Sequence, residues 1–304
     1  MRGLREMLTN HAFTVTVEVD PPRGADPDRL LADVAGLAGR VEAVNVADSP
    51  MARLRMAPIA AAYLVQRELG VPAVFHLTCR DRNLLGLQAE LLGASALGVK
   101  AILCLTVDPP SRGNHPTAKA VFDLDVLGLV RLTAGLNHGM DYMDNDLEGR
   151  TDLGIGVAAN PCAPDLDVEF SKLRAKVEAG AQFVQTQPIF DLERLHRFHE
   201  GATRFGLPIL YGVMPLKGYK SAVYMKEKVG LVIPDRVIRA LERGGRAAAV
   251  EEAITTALAI QGLGAAGVHL FPLGDLTLLD AVLTALGRPQ DTGVGQGDRS
   301  EAAG

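Results

Sequence analysis

Tryptophan is absent from this 304-residue sequence, and cysteine is scarce, with three occurrences. Because three is an odd number and the spacings match no zinc motif, we expect neither a disulfide framework nor a bound metal. A basic surplus is also missing, since 31 lysines and arginines stand against 36 acidic residues and give a formal net charge of -5. This balance argues against nucleic acid as a partner.

Long hydrophobic runs are absent as well. No stretch reaches the roughly 18 uninterrupted apolar residues that a membrane-spanning helix needs, so no membrane association is expected. The first residues, MRGLREMLTNHAF, lack the apolar segment of a secretory signal peptide. Together with the low cysteine content, these features predict a protein of the reducing cytoplasm.

The sequence has instead a regular alternation of short apolar runs and longer helical patterns, in a composition that is 48% hydrophobic. A helix between two strands implies that the strands pair in parallel. Eight strand–helix units predict a closed (β/α)8 barrel, the α/β fold called the TIM barrel, which commonly takes about 250 residues. An open doubly wound sheet is the alternative. The predicted strands are residues 13–19, 43–48, 73–79, 101–106, 153–159, 183–188, 209–214 and 268–272.

The domain organisation follows from the same pattern. Residues 1–287 are predicted to form a single barrel domain, because the strand–helix units run through this range without a linker. Residues 288–304, RPQDTGVGQGDRSEAAG, are polar and rich in glycine. We expect them to form a flexible C-terminal tail.

Acidic residues stand at two predicted strand ends, and the active site of a parallel barrel lies at the carboxyl ends of its strands. Glu18 interrupts a strand of mostly valine and threonine, where an ionised carboxylate is costly. It is either a general acid with a raised pKa or an exposed residue just past the strand. Asp108 follows the fourth strand and is interpreted in the same way, as a candidate general acid. The alternative is that its side chain caps the loop that follows.

Other polar residues recur at alternate positions of two strands. Gln185 and Gln187 share one face of the sixth strand, and an amide at the barrel mouth suits a heterocycle with mixed donors and acceptors. The alternative is a polar layer inside the barrel. His76 and Thr78 share a face of the third strand, where a single histidine is more often a buried core residue than a ligand.

Taken together, the strand-end motifs resemble those of the methylenetetrahydrofolate reductase family, from about residue 13 to residue 287. The stretches NVADS and CRDRN are most similar to its branch in acetogenic and other bacterial one-carbon pathways. The resemblance implies a flavin-dependent enzyme on an eight-stranded α/β barrel. The motifs are VEVDPPR with Glu18, HLTC from His76, LTVD ending in Asp108, AANP around Asn160, KVEAGA from Lys176, TQPIFD with Gln187, and YGVMPLKGY ending in Tyr219.

The resemblance also implies residue roles. Glu18 matches the general acid that assists opening of the folate methylene bridge, and Asp108 matches the acidic residue beside flavin and pterin. Gln187 matches an amide that contacts folate, and Tyr219 an aromatic residue that stacks on substrate or nicotinamide. The positions matching the lining of the flavin and its phosphates are His76, Asp108, Ala158, Asn160, Glu169 and Lys176.

The implied reaction is hydride transfer from flavin to 5,10-methylenetetrahydrofolate, giving 5-methyltetrahydrofolate. The implied cofactor is FAD, with FMN as the alternative, and the electron donor is NAD(P)H or a partner subunit. A homo-oligomer is also compatible with the sequence. Two other functions stay open: a non-redox pterin-binding barrel enzyme, such as a methyltransferase or lyase, and a folate-binding subunit that depends on an electron-donating partner.

Several positions depart from the family pattern. Val107 stands where the family usually has a glycine, and a side chain there alters how closely the backbone can approach a flavin. The other departures are Ala47 for a hydroxyl residue, Asn160 for a tyrosine and Asp275 for a basic residue.

Overall fold

A computed structural model of the chain describes residues 8, 13–107 and 109–290. Its strands pair in parallel in chain order, and the eighth pairs with the first, so the sheet closes into the predicted barrel. The open-sheet alternative is therefore wrong. The strands are β1 (Thr14–Val19), β2 (Ala43–Val46), β3 (Ala73–Thr78), β4 (Ala101–Leu105), β5 (Gly154–Ala159), β6 (Phe183–Pro188), β7 (Ile209–Val213) and β8 (Gly267–Leu270).

Helices surround the barrel and connect consecutive strands. A π-helical segment, Met225–Val229, extends α7, and Gly245 interrupts α8 with a positive φ of 55° that glycine adopts without strain. The helices are α1 (Asp28–Ala35), α2 (Pro58–Leu69), α3 (Leu84–Ala96), α4 (Val126–Asn137), α5 (Leu166–Glu178), α6 (Leu192–Ala202), α7 (Tyr219–Tyr224), α8 (Asp235–Gly262) and α9 (Leu279–Ala285).

Side-chain caps fix where four of the helices begin. Asn83, Asp125, Asp165 and Asp191 each accept hydrogen bonds from backbone N–H groups in the first turn of the helix that follows. Such a cap satisfies donors that have no partner within the helix. The caps Asn83, Asp165 and Asp191 lie three to six residues beyond the carboxyl end of a strand, so they also help to set the shape of the barrel mouth.

The core has two layers with different composition. Between the barrel and its helices, outward-facing strand residues such as Val15, Val17 and Phe75 are completely buried against apolar helix faces. Inside the barrel, the floor is apolar and is formed by Leu8, Ala43, Val74, Ala101, Leu103, Phe183 and Leu210. Above this floor the interior becomes polar, and that change positions the site described below.

Arginine side chains join the beginning and end of the described chain beside the seam between β1 and β8. The Arg40 guanidinium donates to Asp280 Oδ1 at 2.8 Å and to the Arg288 carbonyl at 3.0 Å. Arg288 in turn donates to Glu42 Oε1 at 2.6 Å and to the Phe13 carbonyl at 3.0 Å. Arg288 is the first residue of the predicted tail, of which residues 291–304 lie outside the described range. The domain boundary therefore stays a prediction.

Candidate active site

Glu18 lies in β1 with its side chain on the inner face of the barrel. Val17 and Val19 point outward into the core, and Glu18 is partly accessible from the mouth. Burial, followed by the nearby charge of Asp20, raises the pKa of Glu18 to about 8. Asp20 itself pairs with Arg55, 3.3 Å away. Glu18 is therefore mostly protonated at neutral pH and can donate a proton, as a general acid must.

A buried amide connects opposite sides of the barrel interior. Asn45 Nδ2 donates to Gln185 Oε1 at 2.8 Å and lies 3.2 Å from His76 Nε2. Since β2 and β6 are not neighbours, the bond to Gln185 crosses the interior. Burial lowers the pKa of His76 to about 3, so this histidine is neutral and its Nε2 accepts the second amide hydrogen of Asn45.

A second buried histidine belongs to the same interior. His269 in β8 is completely buried, and its Nδ1 lies 2.8 Å from the hydroxyl of Thr16 in β1. Burial, and then the proximity of His76, hold the pKa of His269 well below its ordinary value. The interior beneath Glu18 is therefore polar but uncharged, because both histidines are neutral.

Asp48, just beyond β2, forms a different kind of carboxyl site. It is buried and accepts hydrogen bonds from the Thr78 backbone N–H at 3.1 Å and the Thr78 hydroxyl at 2.9 Å. Arg82 donates to the same carboxylate at 2.8 Å and pairs with Glu90 at 3.3 Å. These contacts join the loops that follow β2 and β3, so Thr78 has a structural partner here.

The expected substrate-contacting residues lie on the accessible rim. Gln187 in β6 is exposed, whereas Gln185, two residues earlier on the same face, is buried. The two glutamines of β6 therefore occupy both environments that the sequence left open. Gln185 is a polar residue of the interior, and Gln187 is an amide at the mouth. Tyr219 begins α7, in the segment that follows β7, and the residue is 41% exposed.

The remaining expected site residues surround the end of β5. Glu169, in α5, is buried and accepts a hydrogen bond from the backbone N–H of Asn160 at 2.8 Å. Lys176 Nζ donates to the Ala158 carbonyl at 2.6 Å, and burial lowers its pKa. Asn160 Oδ1 accepts from the backbone N–H of Cys162 at 2.9 Å. The hydrogen bonds of Glu169 and Lys176 thus join α5 to the carboxyl end of β5.

Asp108 lies outside the described residues, so its expected role beside the fourth strand stays a prediction. The departure at Val107 falls just beyond β4 and is partly buried. Within the described ranges, no group of three or more histidine, cysteine, aspartate or glutamate residues could hold a metal ion. The helices of those ranges also include none long and apolar enough to cross a membrane.

Three residues of the mouth and of the interior next to it had no role in the sequence-based expectations, namely Asn45, Asp48 and His269. Asn45 and His269 are single polar residues in the middle of otherwise apolar strands, AVNV and GVHL. That signal was present in the sequence. Which polar atoms meet across the barrel depends on the register of strands distant in the chain, and no local pattern reports it.

The fold and this mouth define an α/β barrel with a protonated carboxyl group at the carboxyl ends of its strands. A family model described as methylenetetrahydrofolate reductase matches residues 3–287. The chain therefore belongs to the methylenetetrahydrofolate reductase family, as the motifs predicted.

Individual curated relatives match only part of the chain. The chain is 30% identical over 175 residues to a probable methylenetetrahydrofolate reductase (NADPH) of Caenorhabditis elegans, covering 57% of this chain and 25% of that protein. It is 27% identical over 176 residues to a 5,10-methylenetetrahydrofolate reductase of Salmonella typhimurium, covering 56% and 53%. The chain thus spans from a quarter to about half the length of these curated relatives. They do not separate the predicted bacterial branch from the rest of the family.

Solved structures agree on the fold. An uncharacterised protein from Clostridium thermocellum that binds two copies of 5-methyl-5,6,7,8-tetrahydrofolic acid superposes with a TM-score of 0.61 at 12% identity, over 93% of this chain and 96% of that one. A 2,3-dimethylmalate lyase superposes with a TM-score of 0.53 at 13% identity, over 92% and 82%. At such identities the similarity shows the barrel architecture alone.

Proposed function

We propose that this chain reduces 5,10-methylenetetrahydrofolate to 5-methyltetrahydrofolate with a bound flavin, FAD or FMN. The observation that carries the proposal is Glu18, a carboxyl group held largely protonated at neutral pH at the mouth of the barrel. A folate methylene bridge is stable until one of its nitrogens is protonated. A family whose reaction begins with that protonation needs a group of this kind.

The residues of the mouth suit a flavin in the chemistry of their groups. Ala158 is partly accessible and leaves the inner face of β5 open to a flat apolar ring. Gln187 offers both a donor and an acceptor to a pyrimidine edge. Lys176 gives one of its three ammonium donors to the Ala158 carbonyl, which leaves donors for a phosphate. His76, Asn160 and Glu169 would complete the lining, and Asp108 would stand beside it.

When bound, the flavin supplies the hydride that reduces the folate carbon. The chain's own residues bind and protonate the substrate. Glu18 gives its proton to a nitrogen of the methylene bridge, so that the bridge opens to an iminium ion. Gln187 hydrogen-bonds the pterin, and Tyr219 stacks on the substrate or the nicotinamide. The electron donor is NAD(P)H or a partner protein. The chain spans only part of the length of its curated relatives, so their names do not decide between the two.

The test separates the two half-reactions. The purified protein is expected to be yellow, and its flavin, once reduced without oxygen, is expected to be reoxidised by methylenetetrahydrofolate. Glu18→Gln should abolish the reoxidation and preserve flavin reduction. The matched control is Asp152→Asn, because Asp152 lies before β5 at the opposite, amino-terminal end of the barrel.

Two outcomes would redirect the proposal. A protein that is colourless and cannot be reconstituted with FAD or FMN would favour a non-redox pterin enzyme. A flavoprotein that binds folate but reduces it only after a second protein is added would favour an electron-dependent subunit.

A further inference from the structure

Asn45 contains a polar atom that the interior leaves without a partner. Its amide nitrogen makes the contacts to Gln185 and His76 described above, and these occupy both N–H groups. Its oxygen, Oδ1, is buried and has no hydrogen-bond partner among the described residues. A buried carbonyl oxygen without a partner is rare in folded proteins, since burial removes the water that would otherwise bind it. Such an atom points to a group that donates to it in some state of the protein.

The nearest neighbouring strand position offers a donor. Glu18 is the residue of β1 in register with Asn45 of β2. Neighbouring strands lie about 4.8 Å apart, and residues in register on the same face project side by side. Both side chains are on the inner face. Asn45 reaches across the barrel to Gln185, and Glu18 lies two residues from Thr16 and so shares its face, where Thr16 contacts His269. The residue with the free amide oxygen and the residue with the carboxyl group are therefore neighbours on the inner face of the barrel.

Glu18 also lacks a partner. No hydrogen bond or ion pair joins its side chain to another described residue, and the influences on its proton are burial and the charge of Asp20. Other titratable groups that face this interior are His76 from β3 and His269 from β8, and both are neutral. A protonated carboxyl group has one O–H donor, and Asn45 Oδ1 is an acceptor that nothing else in the described interior uses.

We infer that Asn45 is a positioning residue for Glu18: in the free protein its Oδ1 accepts a hydrogen bond from the Glu18 carboxyl and holds that side chain until the folate nitrogen takes the proton. This inference rests on the proposed function for the identity of the substrate. The hydrogen bond itself belongs to the free protein. It is formed without folate and lost when the O–H turns to the substrate.

This arrangement predicts different pH behaviour for the free and the substrate-bound protein. A hydrogen bond to the neutral carboxyl favours the protonated form, so its loss lowers the pKa of Glu18. Asn45→Ser removes the acceptor and admits water, and both changes act in the same direction. The rate of folate reduction is expected to fall at high pH, where Glu18 loses its proton, and this fall is the alkaline limb of the pH profile. At limiting folate the limb reports the pKa of the free protein, and its midpoint should decrease by about one pH unit. At saturating folate the limb should stay in place.

The matched control is Thr16→Val, which removes a polar group from the same interior and does not touch the Asn45 amide. It should leave both limbs where they are. A limiting-folate limb that does not move in Asn45→Ser, or that moves equally in Thr16→Val, overturns the inference. If Asn45→Ser does not fold, Asn45→Thr, which suits a β-strand, takes its place.

Infrared spectroscopy provides a readout that needs neither folate nor turnover. At pH 7 the difference between the wild type and Glu18→Gln should contain the C=O stretch of the protonated Glu18 carboxyl. Asn45→Ser should displace that band, and Thr16→Val should not. A band that is unchanged in Asn45→Ser overturns the inference even if the protein reduces folate. A displaced band in a protein that does not reduce folate would support the hydrogen bond and contradict the proposed function.

Discussion

Two carboxyl groups at the barrel mouth, Glu18 in β1 and Asp48 after β2, differ in what surrounds them. Asp48 is buried with an arginine, a hydroxyl and a backbone N–H directed at it. Glu18 is partly accessible and has no such partner among the described residues, and its pKa is raised to about 8. A carboxylate with a full set of donors stabilises a structure, whereas one deprived of donors keeps its proton and can transfer it.

The difference comes from strand position and not from residue type. Glu18 lies inside the barrel, where the residue in register with it on β2 is the uncharged Asn45. Asp48 lies one residue beyond the buried Ala47, where the loop after β3 brings Arg82 to it. Four tests, in order of decreasing expected effect, can break or sharpen this comparison.

The largest expected effect is that of Glu18→Gln on folate reduction. Glutamine keeps the shape of the side chain and cannot donate an acidic proton. Because general acid catalysis typically contributes 10²–10⁴-fold, we expect the folate half-reaction to slow by roughly that factor. Stopped-flow absorbance of the flavin measures it. A slowing of less than about tenfold would remove Glu18 from the reaction.

The second effect is on stability. Asp48→Asn leaves the mostly buried Arg82 side chain with Glu90 as its one remaining acidic partner among the described residues. Breaking a buried ion pair by removing one member is strongly destabilising, and we expect a loss of about 2–4 kcal/mol in the free energy of unfolding. Urea denaturation followed by circular dichroism measures it. A change near zero would show that Asp48 does not join the two loops as described.

The third effect is the pH dependence of stability caused by Glu18. Its folded pKa of about 8 lies above the ordinary value of 4.5, so the folded state keeps a proton that the unfolded state has lost between these values. Stability contributed by this group is therefore present below about pH 4.5 and disappears as the pH rises to about 8. Relative to Glu18→Gln, the wild type should lose on the order of 2 kcal/mol across that window, since water at the mouth reduces the full effect. Urea denaturation of both proteins measures it. A difference in unfolding free energy between them that stays constant from pH 5 to pH 8.5 would contradict the prediction.

The smallest effect concerns a carboxylate outside the mouth. Asp152 lies 3.7 Å from Lys100, and both side chains are well exposed. An exposed pair of this kind contributes little, so Asp152→Asn should change the free energy of unfolding by less than about 0.5 kcal/mol. The same urea titration measures it beside Asp48→Asn. A loss comparable to that of Asp48→Asn would mean that burial does not distinguish the two ion pairs.

The sequence predicted the architecture well because each strand is a short apolar run with a clear end. The observed strands begin and end within about two residues of the predicted ones. The sequence pattern of residues 121–137 predicts one helix over that range, but the observed helix begins at Val126, because the side chain of Asp125 caps it. The segment of residues 121–125 was apolar enough to continue the helical pattern, and only the hydrogen bond from Gly128 to Asp125 shows where the helix starts.

The site was less accessible to prediction. Glu18 and Gln187 could be placed at the mouth because strand alternation and strand ends are local properties. Lys176 could not be read in the same way: its contact with the Ala158 carbonyl depends on how α5 packs beside β5. The Asn45 amide joins β2, β3 and β6, and that meeting exists only once the barrel has closed.

The closure of the barrel also has a consequence for synthesis. β1 leaves the ribosome before the other seven strands of the barrel, yet one of its two neighbours is β8, which ends at Leu270. At about 5–20 residues per second, the ribosome needs on the order of tens of seconds to make the intervening chain. Throughout that interval one edge of β1 is unpaired, and an unpaired edge can bind other chains. The hydrogen bonds of Arg40 and Arg288 to Asp280, Glu42 and Phe13 form only after the last strand is made, so the barrel strand that is synthesised first is among the last to be secured.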